Sequence, residues 1–423
     1  MIDRPTGGEQ AVLVHIDFPA GGIQEDLTEF KELVRSAGAE PVDMVTGSRH
    51  APESKYFIGT GKALEVRDSV HLHRAELVIF NHALSPAQER NLERLLQCRV
   101  IDRTGLILDI FAQRARSFEG KLQVELALLK HLSTRLVRGW THLERQRGGI
   151  GLRGPGETQL ETDRRLIRNR MRVITERLAK VRKQRQQSRR ARKLAAVPTI
   201  ALVGYTNAGK STLFNQLTGA DVYIADRLFA TLDPTLRRVS LPKDGTIILA
   251  DTVGFIRHLP HDLVDAFRAT LEEVCEADLL LHVVDASDEN KQANIAQVQA
   301  VLTSIGAADV PQILVYNKID LNEGLLPGLD RDAEMTIRRV RVSAITGAGM
   351  TDLQQAITEQ VGKEIIQYSL VLTPADAKLR AEFYRLATVV SEQMNEQGNY
   401  SLVVRMRPAE WSRVMKNRLN RIL

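Results

Sequence analysis

The chain has 423 residues and an ordinary globular composition, which suits two to four domains, each with its own core. Its net charge of +6 is unevenly placed: Arg164 to Lys193 carries fourteen Lys or Arg and one acid, Glu176, a local +13 that leaves 6 − 13, or −7, elsewhere. No run of 18 apolar residues argues for a membrane helix, Met1-Ile2-Asp3-Arg4-Pro5 lacks a signal-peptide plan, and Cys98 and Cys275 are too few for a disulfide framework or a zinc site; a cytoplasmic protein is expected.

In chain order, residues 1–10 read as a loose tail. Ala11 to Phe18 reads as a strand, Ile23 to Ala37 as an amphipathic helix ended by Gly38, and Pro41 to Val45 as the next strand. Helices follow near Ala63–His71 and from Ser85-Pro86 to Gln97, with strands at Glu76–Phe80 and Arg99–Asp102. This alternation predicts a small parallel α/β domain within residues 1–103. The turn Gly59-Thr60-Gly61-Lys62 is either a tight structural turn or a second phosphate site, though too short for a P-loop.

Thr104 to Arg138 carries helical periodicity, with Gly105 and Gly120 as its only breakers. Five glycines, a proline and two arginines in the eleven residues Arg147–Glu157 exclude a helix there, and a second helical pattern runs from Glu157 to about Ala195. The expectation for 104–195 is a long antiparallel helical hairpin with a glycine-rich loop at its tip. The +13 segment lies on its second helix, too dense for neutral surface dressing, and predicts contact with RNA.

Val197-Pro198 opens the central domain, 197–362. The apolar run Thr199–Val203 leads into Gly204-Tyr205-Thr206-Asn207-Ala208-Gly209-Lys210-Ser211-Thr212, and a helical pattern follows from Leu213 to Thr218. Strand, glycine turn and helix are the context a phosphate-binding loop needs: backbone N–H groups face an anion, and the helix N-terminus adds its dipole. Lys210 is expected to reach the β- and γ-phosphates of a nucleotide, and Ser211 to hold Mg²⁺. Strands at Thr246–Ala250, Leu279–Asp285 and Ile313–Asn317 predict a doubly wound sheet, with the ligand at the carboxyl ends of its strands.

Asp251-Thr252-Val253-Gly254 follows one strand; Asp251 suits the Walker-B role and the Gly254 N–H the γ-phosphate. Asn317-Lys318-Ile319-Asp320 follows another, and Asp320 can accept from the N1–H and 2-amino group of guanine, a donor pair that adenine lacks. Ser343-Ala344-Ile345 supplies backbone donors near the guanine oxygen. Phe229-Ala230-Thr231-Leu232-Asp233 lies where a mobile switch belongs; Thr231 is the chosen second Mg²⁺ hydroxyl, with Thr235 as its rival. Lys210, Thr231 and Gly254 are therefore the catalytic candidates, for GTP with Mg²⁺. Phe255 stands where Ras-like GTPases carry the water-orienting glutamine, so slow intrinsic hydrolysis is expected. Asn207 either marks activation by K⁺ or merely bonds to the switch.

After Gly362 the reading is a strand at Ile366–Leu372, a helix at Ala375–Glu396, a strand at Tyr400–Met406 and a helix at Pro408–Leu423. This small α/β domain, 364–423, is either a docking module or a stabilising lid.

The loop Gly148-Gly149-Ile150-Gly151-Leu152-Arg153-Gly154-Pro155-Gly156-Glu157 and the following Thr158-Gln159-Leu160-Glu161-Thr162-Asp163-Arg164-Arg165 resemble the signature of the HflX GTPases. Asp102-Arg103-Thr104, Ile110-Phe111-Ala112 and Tyr56-Phe57-Ile58-Gly59 resemble the same family's N-terminal domain. The resemblance implies a cytosolic GTPase, expected to be a monomer, that binds the 50S ribosomal subunit through 23S rRNA and splits stalled 70S ribosomes under heat stress. A different class, a nucleotide-dependent RNA-binding or remodelling protein with additional ATP use by the N-terminal domain, is the alternative. Residues 1–195 hold no G-x-x-x-x-G-K-[ST] match in its support.

Overall fold

A computed structural model of the chain describes residues 8–18, 27–136, 155–194, 197–219, 228–241, 245–256, 271–322, 324–362, 366–395, 398–406, 411 and 414–415. Of the loop expected at 147–157, residues 147–154 lie outside the described residues, and Pro155–Glu157 are not loop but the first turn of a long helix, where a proline at the first position costs no backbone bond; most of the terminal helix expected at 408–423 also lies outside the described residues. The chain forms two compact units. One comprises Met1–Arg182, Tyr223–Asp233 and Val253–Thr270; the other comprises Lys183–Val222, Pro234–Thr252 and Leu271–Leu423.

The first unit opens with strands β1 (Gln10–Asp17), β2 (Glu40–Ser48), β3 (Leu77–Phe80) and β4 (Arg99–Ile101), joined through helices α1 (Leu27–Ala37), α2 (Thr60–His73) and α3 (Pro86–Leu96). All pairs are parallel and the order is β2-β1-β3-β4. Such a sheet is buried on both faces, which explains the near-continuous apolar runs of its strands. β1 shows it: Ala11 to Val14 have no exposed surface. Phe80, Leu92, Val66 and Ile58 belong to the core that its strands and helices enclose.

Helices α4 (Arg103–Arg114) and α5 (Phe118–Leu136) occupy the stretch expected to be one helix. The break is at residues 115–117, not at Gly105 or Gly120. Gly105 sits in the first turn of α4, where its N–H is capped by Asp102 Oδ1 at 2.7 Å. Ala115 is extended, and Ser117 starts α5 by accepting the Gly120 N–H at 2.8 Å. A serine ahead of Phe118-Glu119 was the sequence signal for that start. Helix α6 runs over Pro155–Leu194, 40 residues or about 60 Å. It packs on α5 through Ile174, Leu178 and Leu122, and Arg170 Nε donates to Glu125 Oε1 at 2.6 Å.

The second unit holds a seven-stranded sheet of order β10-β11-β9-β8-β5-β7-β6. Its strands are β5 (Thr199–Gly204), β6 (Thr235–Leu241), β7 (Gly245–Asp251), β8 (Leu279–Asp285), β9 (Gln312–Asn317), β10 (Gly328–Arg331) and β11 (Ile337–Arg341). The five inner strands are parallel; β6 and β10 are antiparallel edges that the periodicity did not single out. β6 was masked by its charged Arg237 and Arg238, which an edge strand tolerates. Helices α7 (Lys210–Thr218), α8 (Lys291–Ile305) and α9 (Met350–Gly362) belong to this αβ layering, and Phe214, Leu213 and Leu353 are buried in its main core.

Strands β12 (Ile366–Leu372), β13 (Thr388–Met394) and β14 (Tyr400–Met406) form an antiparallel sheet of order β12-β14-β13 with helix α10 (Ala377–Leu386). The helix expected to reach Glu396 stops at Leu386. The β-branched run Thr388-Val389-Val390 turns the rest into a strand. Phe383 and Leu372 anchor this core, and Trp411 stacks on Tyr368 at 4.0 Å.

Candidate nucleotide site

β5 is central in its sheet, with β7 on one side and β8 on the other, so the crevice beyond its carboxyl end is a topological switch point. The glycine loop leaves the sheet there. Gly204 has φ +146°, and a Cβ on it would overlap Val283 O. Gly209 has φ +88°, and a Cβ on it would overlap the Asn317 amide. Both positions therefore need glycine, for close approach as much as for backbone freedom. Asn207 takes φ 60° with an exposed side chain, while Thr206 and Ala208 are buried.

Lys210 opens α7 and is buried; its Nζ donates to Gly204 O at 3.0 Å and Tyr205 O at 2.7 Å. Burial lowers its pKa to about 8, against the pull of the Asp251 charge. Ser211 Oγ donates to Asp251 Oδ2 at 2.9 Å, and Thr252 Oγ1 donates to Leu202 O at 2.5 Å. Thr212 is half-buried in the same first turn. Ser211 and Asp251 thus bring a hydroxyl and a carboxylate together, hard oxygen donors that fit Mg²⁺. No group of three or more His, Cys, Asp or Glu able to hold a metal occurs among the described residues. Oxygens of a bound phosphate would have to complete the coordination, as they do for Mg²⁺ in nucleotide sites.

Asn317, at the end of β9, ties the loops together. Its Nδ2 donates to Ala208 O at 2.9 Å, and its Oδ1 accepts the Ala344 N–H at 3.0 Å. The amide is therefore engaged with protein backbone, and the Ser343 N–H is engaged with Ala348 O. Lys318 sits at φ 62° and Asp320 lies exposed in the 3-10 turn Ile319–Leu321, while the Ile345 side chain is 75% exposed. Two residues not anticipated from sequence belong to this neighbourhood. Asp285, at the end of β8, meets Lys318 Nζ at 2.8 Å. His282, buried on β8 opposite Val203, is held neutral, its pKa lowered to about 4 by burial and then by the Lys210 charge. Its place as the lone polar residue within Leu279–Val284 was the only sequence signal for it.

The remaining candidates belong to the first unit. Leu228, Phe229 and Leu232 are buried there, with Ala230 and Thr231 half-buried. The Leu228 N–H donates to Ser36 Oγ at 3.1 Å, and the Phe229 ring meets Phe111 edge-on at 4.7 Å. Asp233 Oδ2 accepts from the N–H groups of Arg116 and Ser117 at 2.8 and 2.7 Å, and its Oδ1 accepts from Ser117 Oγ at 2.5 Å. The expected switch thus spends Phe229 and Asp233 on α4 and α5. Val253, Gly254 and Phe255 are buried in this unit as well, Phe255 to 2% exposure.

Three family descriptions match in succession: a "GTP-binding GTPase N-terminal" region over residues 24–112, a "GTP-binding GTPase Middle Region" over 114–192, and a "50S ribosome-binding GTPase" over 199–318. The GTPase HflX of Escherichia coli K12 is 61% identical over 416 residues, 98% of both chains. The GTPase HflX of Caldanaerobacter subterraneus subsp. tengcongensis is 47% identical, over 92% of this chain and 89% of its own. Among solved structures, the complex of SsGBP with GDP matches at 25% identity and a TM-score of 0.49, covering 84% of this chain and 99% of its own. No described helix is long and apolar enough to cross a membrane. On full-length identity of this order, the chain belongs to the HflX family of GTPases.

Proposed function

We propose that this chain binds and hydrolyses GTP at the loop Gly204–Thr212 and uses the cycle to act on the large ribosomal subunit. The nucleotide part is supported by the way Asn317 bonds both Ala208 O and the Ala344 N–H. These bonds tie the phosphate loop to the two base-side loops. Asp320 reads the N1–H and 2-amino edge of guanine, and the Ser343–Ile345 turn lies by the base oxygen. Lys210 turns its ammonium from backbone carbonyls to the β- and γ-phosphates. Ser211 would hold Mg²⁺, with Asp251 behind it. The metal supplies neutralisation of the charge that develops on the transferring phosphoryl group. Phe255 is apolar and turned inward, so no side chain there orients water, and turnover of the isolated protein is slow. Ribosomal particles and K⁺ at Asn207 are the two activators to test.

The ribosomal part rests on α6. Arg165, Arg168, Arg172, Arg177, Lys180, Arg182 and Lys183 are all exposed along it. Such a stripe matches phosphate backbone and gives binding that weakens as salt rises, because each neutralised phosphate releases counterion. The match of residues 199–318 to a family of 50S ribosome-binding GTPases supports the same partner. The chain binds the free 50S subunit through 23S rRNA better than it binds the joined 70S ribosome. That difference in affinity splits stalled ribosomes under heat stress, since a ligand shifts an equilibrium only by its differential affinity. GTP hydrolysis then serves release.

The test is light scattering of 70S particles with the intact chain and with a variant lacking residues 148–156. The variant is expected to bind a fluorescent GTP analogue normally and to lose splitting. Splitting at the wild-type rate would remove the loop from the mechanism.

A further inference from the structure

Lys318 is the one residue of Asn317–Asp320 held in a left-handed conformation, at φ 62° and ψ 35°. A Cβ makes that conformation unfavourable, and it persists only where the surroundings over-determine it. The surroundings are visible. The Asp285 carboxylate receives Lys318 Nζ on Oδ2 at 2.8 Å, with both side chains about four-fifths buried (21% and 22% exposed). Its other oxygen accepts Ser287 N–H at 2.9 Å and Ser287 Oγ–H at 2.6 Å, which fixes the carboxylate from behind. Asp285 pairs with Asn317 across β8 and β9, and the Ala286 N–H donates to Asn317 O at 2.8 Å. Val284, Ala286, Tyr316 and Ile319 pack as a small apolar cluster under the same turn. Burial pushes the Asp285 carboxyl up, but Lys318 and Ser287 outweigh it and hold it below the usual carboxylate range.

We infer that Asp285 is a positioning residue for base recognition: by anchoring the Lys318 ammonium it holds the strained turn that aims Asp320 at the nucleobase. This rests on the reading of Asp320 as the guanine-reading group. Asp285 touches no nucleotide itself. Its effect falls on affinity and base selectivity and spares the hydrolytic step, whose candidate groups Lys210, Thr231 and Gly254 take no part in the Asp285–Lys318 contact. Glycine adopts the left-handed conformation without cost, so a chain with glycine at 318 has no strained turn for Asp285 to hold.

The experiment measures the dissociation constants of fluorescent GDP and ADP, and GTP turnover, for the intact protein, D285N, K318G and the double variant. Loss of one charge-assisted hydrogen bond predicts that D285N weakens GDP binding about tenfold and narrows the GDP/ADP ratio, with kcat at saturating GTP unchanged. In the K318G background D285N has less than about a twofold further effect. A tenfold effect in both backgrounds, or none in the natural one, overturns the inference. A thermal melt of each variant separates unfolding from loss of binding. If D285N unfolds, the D285E variant replaces it, and retention of GDP affinity and selectivity with the acid one methylene longer is the expected result. Equal affinity of the unaltered protein for GDP and ADP would instead sink the guanine reading itself, an outcome distinct from failure of D285N alone.

Discussion

Replacing Gly120 by alanine tests whether Asp233 holds the first turn of α5. In an exposed helix interior the change from glycine to alanine gains about 1 kcal/mol. Here the new Cβ would overlap Asp233 Oδ1 and stand 3.1 Å from Ser117 Oγ. The carboxylate must swing away and lose its bonds to Arg116 N–H, Ser117 N–H and Ser117 Oγ–H. A carboxylate so placed at a helix N-terminus contributes about 2 kcal/mol. The expected net effect of G120A is a destabilisation of about 1 kcal/mol, opposite in sign to helix propensity. D233A removes the same bonds and costs about 2 kcal/mol. With Asp233 already gone, G120A regains its propensity and stabilises α5 by about 1 kcal/mol, a sign reversal that measures the coupling. The assay is native-state hydrogen exchange of the amides in the first two turns of α5. A loss of 1 kcal/mol appears there as about fivefold faster exchange. Slower exchange in G120A alone, or the same sign in both backgrounds, would refute the placement of Asp233.

G209A should abolish nucleotide binding, by at least about a hundredfold in dissociation constant, because φ +88° and the Asn317 amide both exclude a Cβ; titration with fluorescent GDP checks it. D320N should trade guanine for xanthine nucleotides, whose 2-oxo group prefers a donor, and an unchanged preference for GTP counts against the assignment. His82 carries the acid sensitivity of the N-terminal sheet. Burial chiefly, then the charges of His15 and Arg103, lower its pKa from 6.5 to about 4, while the Ile16 N–H and Asp17 oppose this. Between those values the unfolded chain binds the extra proton, so stability is lost as pH falls from about 6.5 to about 4, by up to about 3 kcal/mol. Urea midpoints of H82Q across that range should show a flatter acid limb, and a parallel fall in both proteins refutes the attribution.

Much of this molecule is legible in its sequence because its main signals are local. The alternation of strands and helices over residues 10–101 follows from apolar runs, Ser85-Pro86 and the turn glycines, and the structure places those elements within a few residues of the expected bounds. The glycine loop between β5 and α7 was equally plain, since its spacing encodes a strand-turn-helix that forms within a dozen residues. Periodicity failed where tertiary pairing decides. Residues 388–394 continue a helical pattern, yet they become β13 because β14 offers a ladder for them. α4 and α5 separate at 115–117, where Asp233 from far along the chain takes up the backbone donors that start α5. The switch segment shows the limit most clearly. Its sequence makes Thr231 a candidate metal ligand, but nothing local reveals that Leu228 bonds to Ser36, 192 residues earlier, or that Phe229 packs on Phe111. Likewise Asp285 meets Lys318 only because β8 and β9 lie side by side. A sequence states which groups a segment carries and how that segment bonds to itself. Which distant partner consumes each group is set by the closure of the sheets, and that closure decides which side chains remain to meet a nucleotide.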